Sequence, residues 1–149
     1  MFKTNFYNNI CFGFHRLSIN GLDEISHQTF ENNDINLICY GEIYNHSDLI
    51  NQFGKTPKTK SDCDFIIHAY RCIRHHCFRL LYGVFSCILY ETLKIQVIVS
   101  RDYYGVNPLY ICQYENGNIR FCSEIKPLLL IQTSAAWNAF NQAHNKYMS

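Results

Sequence analysis

Gly41-Glu42-Ile43-Tyr44-Asn45 stands where an apolar run stops and a helix begins. Just upstream, Ile35 to Tyr40 reads Ile-Asn-Leu-Ile-Cys-Tyr, apolar enough for a mostly buried strand. Just downstream, Asn45 is placed to cap a short helix over 46–53, with Asp48 in its first turn. Gly54-Lys55-Thr56-Pro57-Lys58-Thr59 then breaks that helix.

Farther out, residues 14–19 read as another buried strand. Ser61 is placed to cap a second helix, with Asp62 and Asp64 near its positive end. Phe65, Ile66, Ala69, Tyr70 and Ile73 recur at helical spacing, which predicts one core-facing side. A short helical turn is expected over 77–81. Two hairpins follow: 83–90 with 95–100 around Glu91-Thr92-Leu93-Lys94, and 109–114 with 119–123 around Glu115-Asn116-Gly117-Asn118. Residues 124–131 read as helical, with Pro127 confined to a first turn or a kink. Ala135-Ala136-Trp137-Asn138-Ala139-Phe140 is expected to form an amphipathic helix docked on its own domain. Hairpin-joined strands with helices set apart from them give an α+β layered fold.

Composition narrows the function classes. With 149 residues, 48% hydrophobic and 17% charged, the chain can bury a core and has the length of one domain. A net charge of +1, from 13 Lys and Arg against 12 Asp and Glu, gives no electrostatic case for nucleic acid or an acidic membrane surface. No apolar run has the length of a membrane span, and the N-terminus lacks a signal-peptide centre. The 8 cysteines are irregularly spaced. Cys39, Cys87 and Cys112 sit within apolar runs, as reduced core residues of a cytoplasmic protein do.

Five blocks stand in register along the chain: Gly13-Phe14-His15-Arg16-Leu17-Ser18-Ile19, the Gly41 to Asn45 stretch, Ser61-Asp62-Cys63-Asp64, Ser100 to Tyr110 and Ser123-Glu124-Ile125-Lys126. In this order they resemble the glutaminase domain of the asparagine synthetase B family, the class II glutamine amidotransferases. The resemblance covers roughly 13–131, leaving 1–12 and 132–149 as non-matching ends. It implies the four-layer αββα sandwich of N-terminal-nucleophile hydrolases, in an incomplete form that lacks the first strand or two. It also implies L-glutamine as ligand and no cofactor or metal.

In that family an N-terminal cysteine thiolate attacks the glutamine side-chain amide, with the free α-amino group as base. Hydrogen-bond donors hold the oxyanion that forms. On matching positions, Arg16 corresponds to the arginine that grips the α-carboxylate, as a guanidinium fork suits a carboxylate. Asp62 corresponds to the aspartate on the α-ammonium, and Glu42 to a further acidic contact there. The Gly41 N–H corresponds to one oxyanion donor.

Two departures argue against catalysis. The chain reads Met1-Phe2 where the family reads Met-Cys, and the piece carrying the nucleophile strand and a His-Arg-Gly-Pro-Asp motif has no counterpart. Tyr40 also replaces the asparagine that supplies the side-chain oxyanion donor. Cys11 is no substitute, being internal and too close to Arg16. The expectation is an N-terminally truncated, non-catalytic relative without a synthetase domain. Two other readings stay open: a component completed by a synthetase chain or an adjacent-gene product, and a glutamine-binding scaffold. Cys72, His75, His76 and Cys77 do not have structural-zinc spacing and read as a helix end. Arg101 and Asp102 read as an ion pair fixing a turn, with Gly105 and Pro108 in the same loop.

Overall fold

The computed structural model describes residues 2–7, 10–15, 29–54, 61–129 and 135–138. Its centre is an antiparallel four-stranded sheet in the order β3-β4-β5-β6: Phe30–Asn32, Ile35–Ile43, Gly83–Glu91 and Gln96–Arg101. Alternation places Ile35, Leu37, Cys39 and Ile43 of β4 in the core. Leu37 lies opposite Leu89, Cys39 opposite Cys87, and Gly41 opposite Phe85. The predicted hairpin of β5 and β6 is present, with Leu89 facing Ile98.

Two helices join this core: α1 (His46–Phe53) and α2 (Phe65–Ile73). Leu49 is the buried residue of α1, whereas α2 buries Phe65, Ile66, Ile67, Ala69 and Tyr70. Ile67 widens the expected α2 stripe, so the first half of that helix is enclosed on more than one side. The C-terminus of α1 is closed by Gly54 at φ +71°, whose N–H reaches the Ile50 carbonyl at 2.8 Å.

The expected N-terminal caps are corrected. Asn45 holds the N-cap position, its carbonyl accepting from the Leu49 N–H at 3.2 Å, but its side chain makes no cap bond; its Nδ2 donates to the Leu80 carbonyl at 2.9 Å and its Oδ1 accepts from the Tyr82 N–H at 2.9 Å. A long-range amide pair has displaced the local bond. Ser61 lies a turn ahead of α2, accepting from the Cys63 N–H on Oγ and from the Asp64 N–H on its carbonyl, each at 3.3 Å. The helical turn expected over 77–81 is longer, a 3-10 helix over Arg74–Leu80 that follows α2 directly.

At that junction Arg74 adopts φ +56° and its guanidinium lies over the Tyr70 ring, 5.4 Å from the centroid. It meets Glu91, a buried carboxylate at the end of β5, at 3.1 Å. Tyr70 Oη donates to Glu91 at 2.8 Å, and Lys94 Nζ lies 3.2 Å away. Burial pushes the Glu91 carboxyl up, but Tyr70, Lys94 and Arg74 outweigh it and hold it below its ordinary value. A depressed carboxyl stabilises the fold above its unfolded value of about 4.3, and the gain fades as pH falls through the folded value. The cations are half exposed, so Glu91→Gln is expected to cost about 1–2 kcal/mol near neutrality. The gap in urea midpoint between wild type and variant should narrow progressively as pH falls below the unfolded carboxylate value.

The second predicted hairpin is β7 (Tyr110–Tyr114) with β8 (Ile119–Cys122). The helix expected at 135–140 is not formed. Ala135–Asn138 is instead strand β9, paired antiparallel to the other edge of β7, with Ile111 opposite Asn138 and Tyr114 opposite Ala135. Strand β7, with Cys112 fully buried, offers an unpaired row of amides, and ladder bonds to it outweigh the local helical preference of the alanines. Of the helix expected at 124–131, the single short turn α3 (Lys126–Leu129) is described. At the N-terminus β1 (Phe2–Tyr7) and β2 (Ile10–His15) form a hairpin. Asn5 and Tyr7 both donate to Glu31, tying that hairpin to β3. Strand β2 runs across the 12/13 boundary and takes in residues 14 and 15 of the expected 14–19 strand, whose remaining residues lie outside the described ones.

Candidate functional site

Two of the residues predicted from sequence, Gly41 and Asp62, meet on one edge of β4. Phe85, opposite Gly41, gives both backbone groups to Asp102 on the β6 side: its carbonyl accepts from the Asp102 N–H at 2.8 Å, and its N–H donates to Oδ2 at 3.3 Å. In an antiparallel ladder the groups of successive residues alternate in direction. Gly41 therefore turns its N–H away from β5. Ile43, two residues on and in the same phase, shows the direction independently: its N–H donates to Asp62 Oδ2 at 2.5 Å. The Gly41 N–H and the Asp62 carboxylate thus share the edge that faces away from β5. The short β3 covers this edge only at Ile35, Asn36 and Leu37.

Asp62 is half-buried in the turn before α2. Glu42 is exposed, opposite Val84. Tyr40 is 50% exposed and opposite Ser86. Arg16 lies outside the described residues.

Gly41 sits at φ +133°, and a Cβ there would lie 2.0 Å from the Val84 carbonyl oxygen and 2.7 Å from Phe85 Cα. The two strands approach so closely at this bend that only glycine fits. The bend is flanked by the loop 102–109. Asp102, buried, accepts from the Val106 N–H at 3.3 Å as well as from Phe85, so it fixes the turn through backbone amides. Asn107 Nδ2 donates to the Tyr40 and Val84 carbonyls, each at 3.1 Å. Sequence reasoning reached Gly105 and Pro108 in this loop and passed over Asn107. The one available signal was an amide side chain just before a proline.

Cys39, Cys77 and Cys87 are not poised for attack. The neighbouring Cys63 thiol and then burial hold Cys39 well above its ordinary value, and burial does the same for Cys87. Burial lifts Cys77 to about 12. A nucleophilic cysteine needs the opposite shift. Cys11 is exposed on β2, opposite Phe6. His75 and His76 stack at 4.2 Å on the 3-10 helix, and among the described residues no group of three or more His, Cys, Asp or Glu could hold a metal ion. No helix among these residues is long and apolar enough to cross a membrane.

The family model of the glutamine amidotransferase domain matches residues 2–149. The human asparagine synthetase [glutamine-hydrolyzing] is 37% identical over 139 residues, covering 89% of this chain and 24% of the relative. The Bos taurus protein of the same description is 37% identical over 141 residues, again 89% and 24%. The chain therefore spans about a quarter of the length of these relatives. In three dimensions it resembles the B. subtilis glutamine phosphoribosylpyrophosphate amidotransferase, with a TM-score of 0.68 over 83% of this chain and 30% of that one. A second structure, of the allosteric regulatory enzyme of purine biosynthesis, gives 0.69 over 84% and 30%. Both are 19% identical and speak for the α+β fold alone. Family match, sequence relatives and fold agree, and the chain belongs to the glutamine amidotransferase domain family.

Proposed function

We propose that this domain recognises L-glutamine at the outer edge of β4, as the asparagine synthetase relatives imply, and that it does not hydrolyse glutamine by itself. The observation that carries the reading is the shared edge: an amide N–H at Gly41 and a carboxylate at Asp62 are brought together by segments remote in sequence. Asp62 and Glu42 would hold the α-ammonium, Arg16 the α-carboxylate, and the Gly41 N–H would face the side-chain amide. The site faces solvent, so its ion pairs are screened. Affinity is expected no better than about millimolar, worth roughly 4 kcal/mol.

The non-catalytic part rests on Tyr40. Where the family has an asparagine amide, this chain has a half-exposed phenol, whose proton lies several bonds farther from the backbone. Loss of one oxyanion donor costs about 10²–10³ in rate in comparable sites. A second reading is favoured by the share of the relatives that the chain spans, 24%: it is one component of a larger amidotransferase, completed by a synthetase chain or an adjacent-gene product. Both readings place it in the cytoplasm, with neither nucleic acid nor membrane as partner and no cofactor or metal.

Ligand-detected NMR and calorimetry with L-glutamine test the proposal on wild type, Arg16→Ala and Asp62→Asn. Weak binding by wild type and loss of about tenfold or more in each variant is the expected result. Equal behaviour of all three proteins would reduce the site to a relic of the family. Ammonia release above a no-protein control, surviving Cys11→Ala, would overturn the non-catalytic reading.

A further inference from the structure

We infer that Asn107 is the positioning residue that sets the direction of the Gly41 N–H, so that the loop 102–109 governs the β4 edge. The inference rests on the functional reading above only for what the N–H is used for; the geometry stands by itself. The Tyr40 carbonyl and the Gly41 N–H belong to one planar trans peptide and point to opposite sides of the strand. Fixing one fixes the other. Asn107 donates one Nδ2 hydrogen to the Tyr40 carbonyl and the second to the Val84 carbonyl, both at 3.1 Å. The two bonds hold the carbonyl on the β5 side, where the ladder phase already directs it, and so keep the amide on the edge that carries Asp62.

The peptide needs such a lock. Gly41, at φ +133°, has no side chain to resist rotation of the preceding peptide, and a glycine explores both signs of φ freely. An ordinary residue would hold the orientation by sterics, but the 2.0 Å approach to the Val84 carbonyl forbids one. The Asn107 nitrogen lies 2.6 Å from where that Cβ would stand, so the amide fills the side of the bend that a side chain cannot. Asn107 is itself well anchored. Five residues earlier in the loop, the buried Asp102 binds Phe85 through both backbone groups, so the loop grips β5 at consecutive residues. Between the two anchors Tyr103, Tyr104 and Val106 are 75%, 87% and 59% exposed. Displacement of this exposed segment would be transmitted through Asn107 to the Gly41 peptide.

The test uses the full chain labelled with ¹⁵N-glycine, in which 7 glycines give one amide resonance each. Asn107→Asp removes both donors and sets an anionic oxygen against two carbonyls; Asn107→Ser keeps a single hydroxyl donor and is the gentler variant should the first fail to fold. In each, the Gly41 resonance is expected to move, more for Asp than for Ser. Gly54 and Gly117, in open turns, should stay in place, which a general loosening of the fold would not allow. An unchanged Gly41 resonance in a folded variant overturns the inference. Titration with L-glutamine is read separately. If wild type shows no shift on adding it, the glutamine reading falls, while the lock has already been judged on the free protein. If wild type binds, Asn107→Asp should weaken binding by about fivefold or more.

Discussion

Gly41→Ala is expected to remove a large part of the domain's stability. The added methyl would need to occupy space 2.0 Å from a backbone oxygen and 2.7 Å from the Phe85 Cα, neither of which is a flexible side-chain end. It would also hold an L-residue at φ +133°, a conformation that L side chains rarely adopt. Relief requires separating β4 from β5, the central pair of the main sheet. Such combined clash and backbone strain costs more than about 4 kcal/mol, against a total stability of about 5–15 kcal/mol for a domain. Gly117→Ala makes the control: its φ is +84°, but nothing stands within 4 Å, so only about 1 kcal/mol should be lost. Urea unfolding followed by circular dichroism compares the two. Equal midpoints would mean that the β4 bend is not as tight as described.

The next largest effect is expected from Leu37→Ala. Leu37 and Leu89 are fully buried and directly opposite each other at the centre of the β4–β5 pair. Truncation leaves a cavity ringed by β-sheet backbone, which cannot collapse inward as a loop could. The cost is about 3–4 kcal/mol, or about 10 °C in Tm. Leu93, 81% exposed in the β5–β6 turn, should tolerate the same change within about 0.5 kcal/mol. A scanning melt of both variants distinguishes a packed sheet centre from a loosely assembled one.

What was legible in the sequence follows the range of the forces involved. The hairpins 83–101 and 110–122 were readable because strand, turn and strand are adjacent, and alternation with turn residues is a local signal. Helices α1 and α2 were readable from apolar spacing. Their side-chain cap bonds were not, because Asn45 spends its amide on Leu80 and Tyr82, partners that no local rule can nominate. Residues 135–138 were misread for the same reason: the strand exists because β7 has an edge to fill. Of the site residues, Gly41, Glu42 and Asp62 came from resemblance, and the structure places Gly41 and Asp62 on one edge. Asn107 was invisible, since its importance lies in two carbonyls that are distant in the chain.

The Ile35–Ile43 strand and its Gly83–Glu91 partner have a consequence for how the protein is made. During synthesis β4 leaves the ribosome with, among the described residues, the three residues of β3 beside it, and both α1 and α2 must follow before β5 arrives. For that interval the apolar face of Leu37, Cys39 and Ile43 lacks β5, and α1 and α2, of 8 and 9 residues, are too short to hold helical structure without the sheet. Cells that slow translation after α2, or that lack a holding chaperone, would accumulate nascent chain as aggregate even if the finished domain were stable. Yield in expression should therefore respond more to chaperone supply and growth temperature than to buffer conditions after lysis.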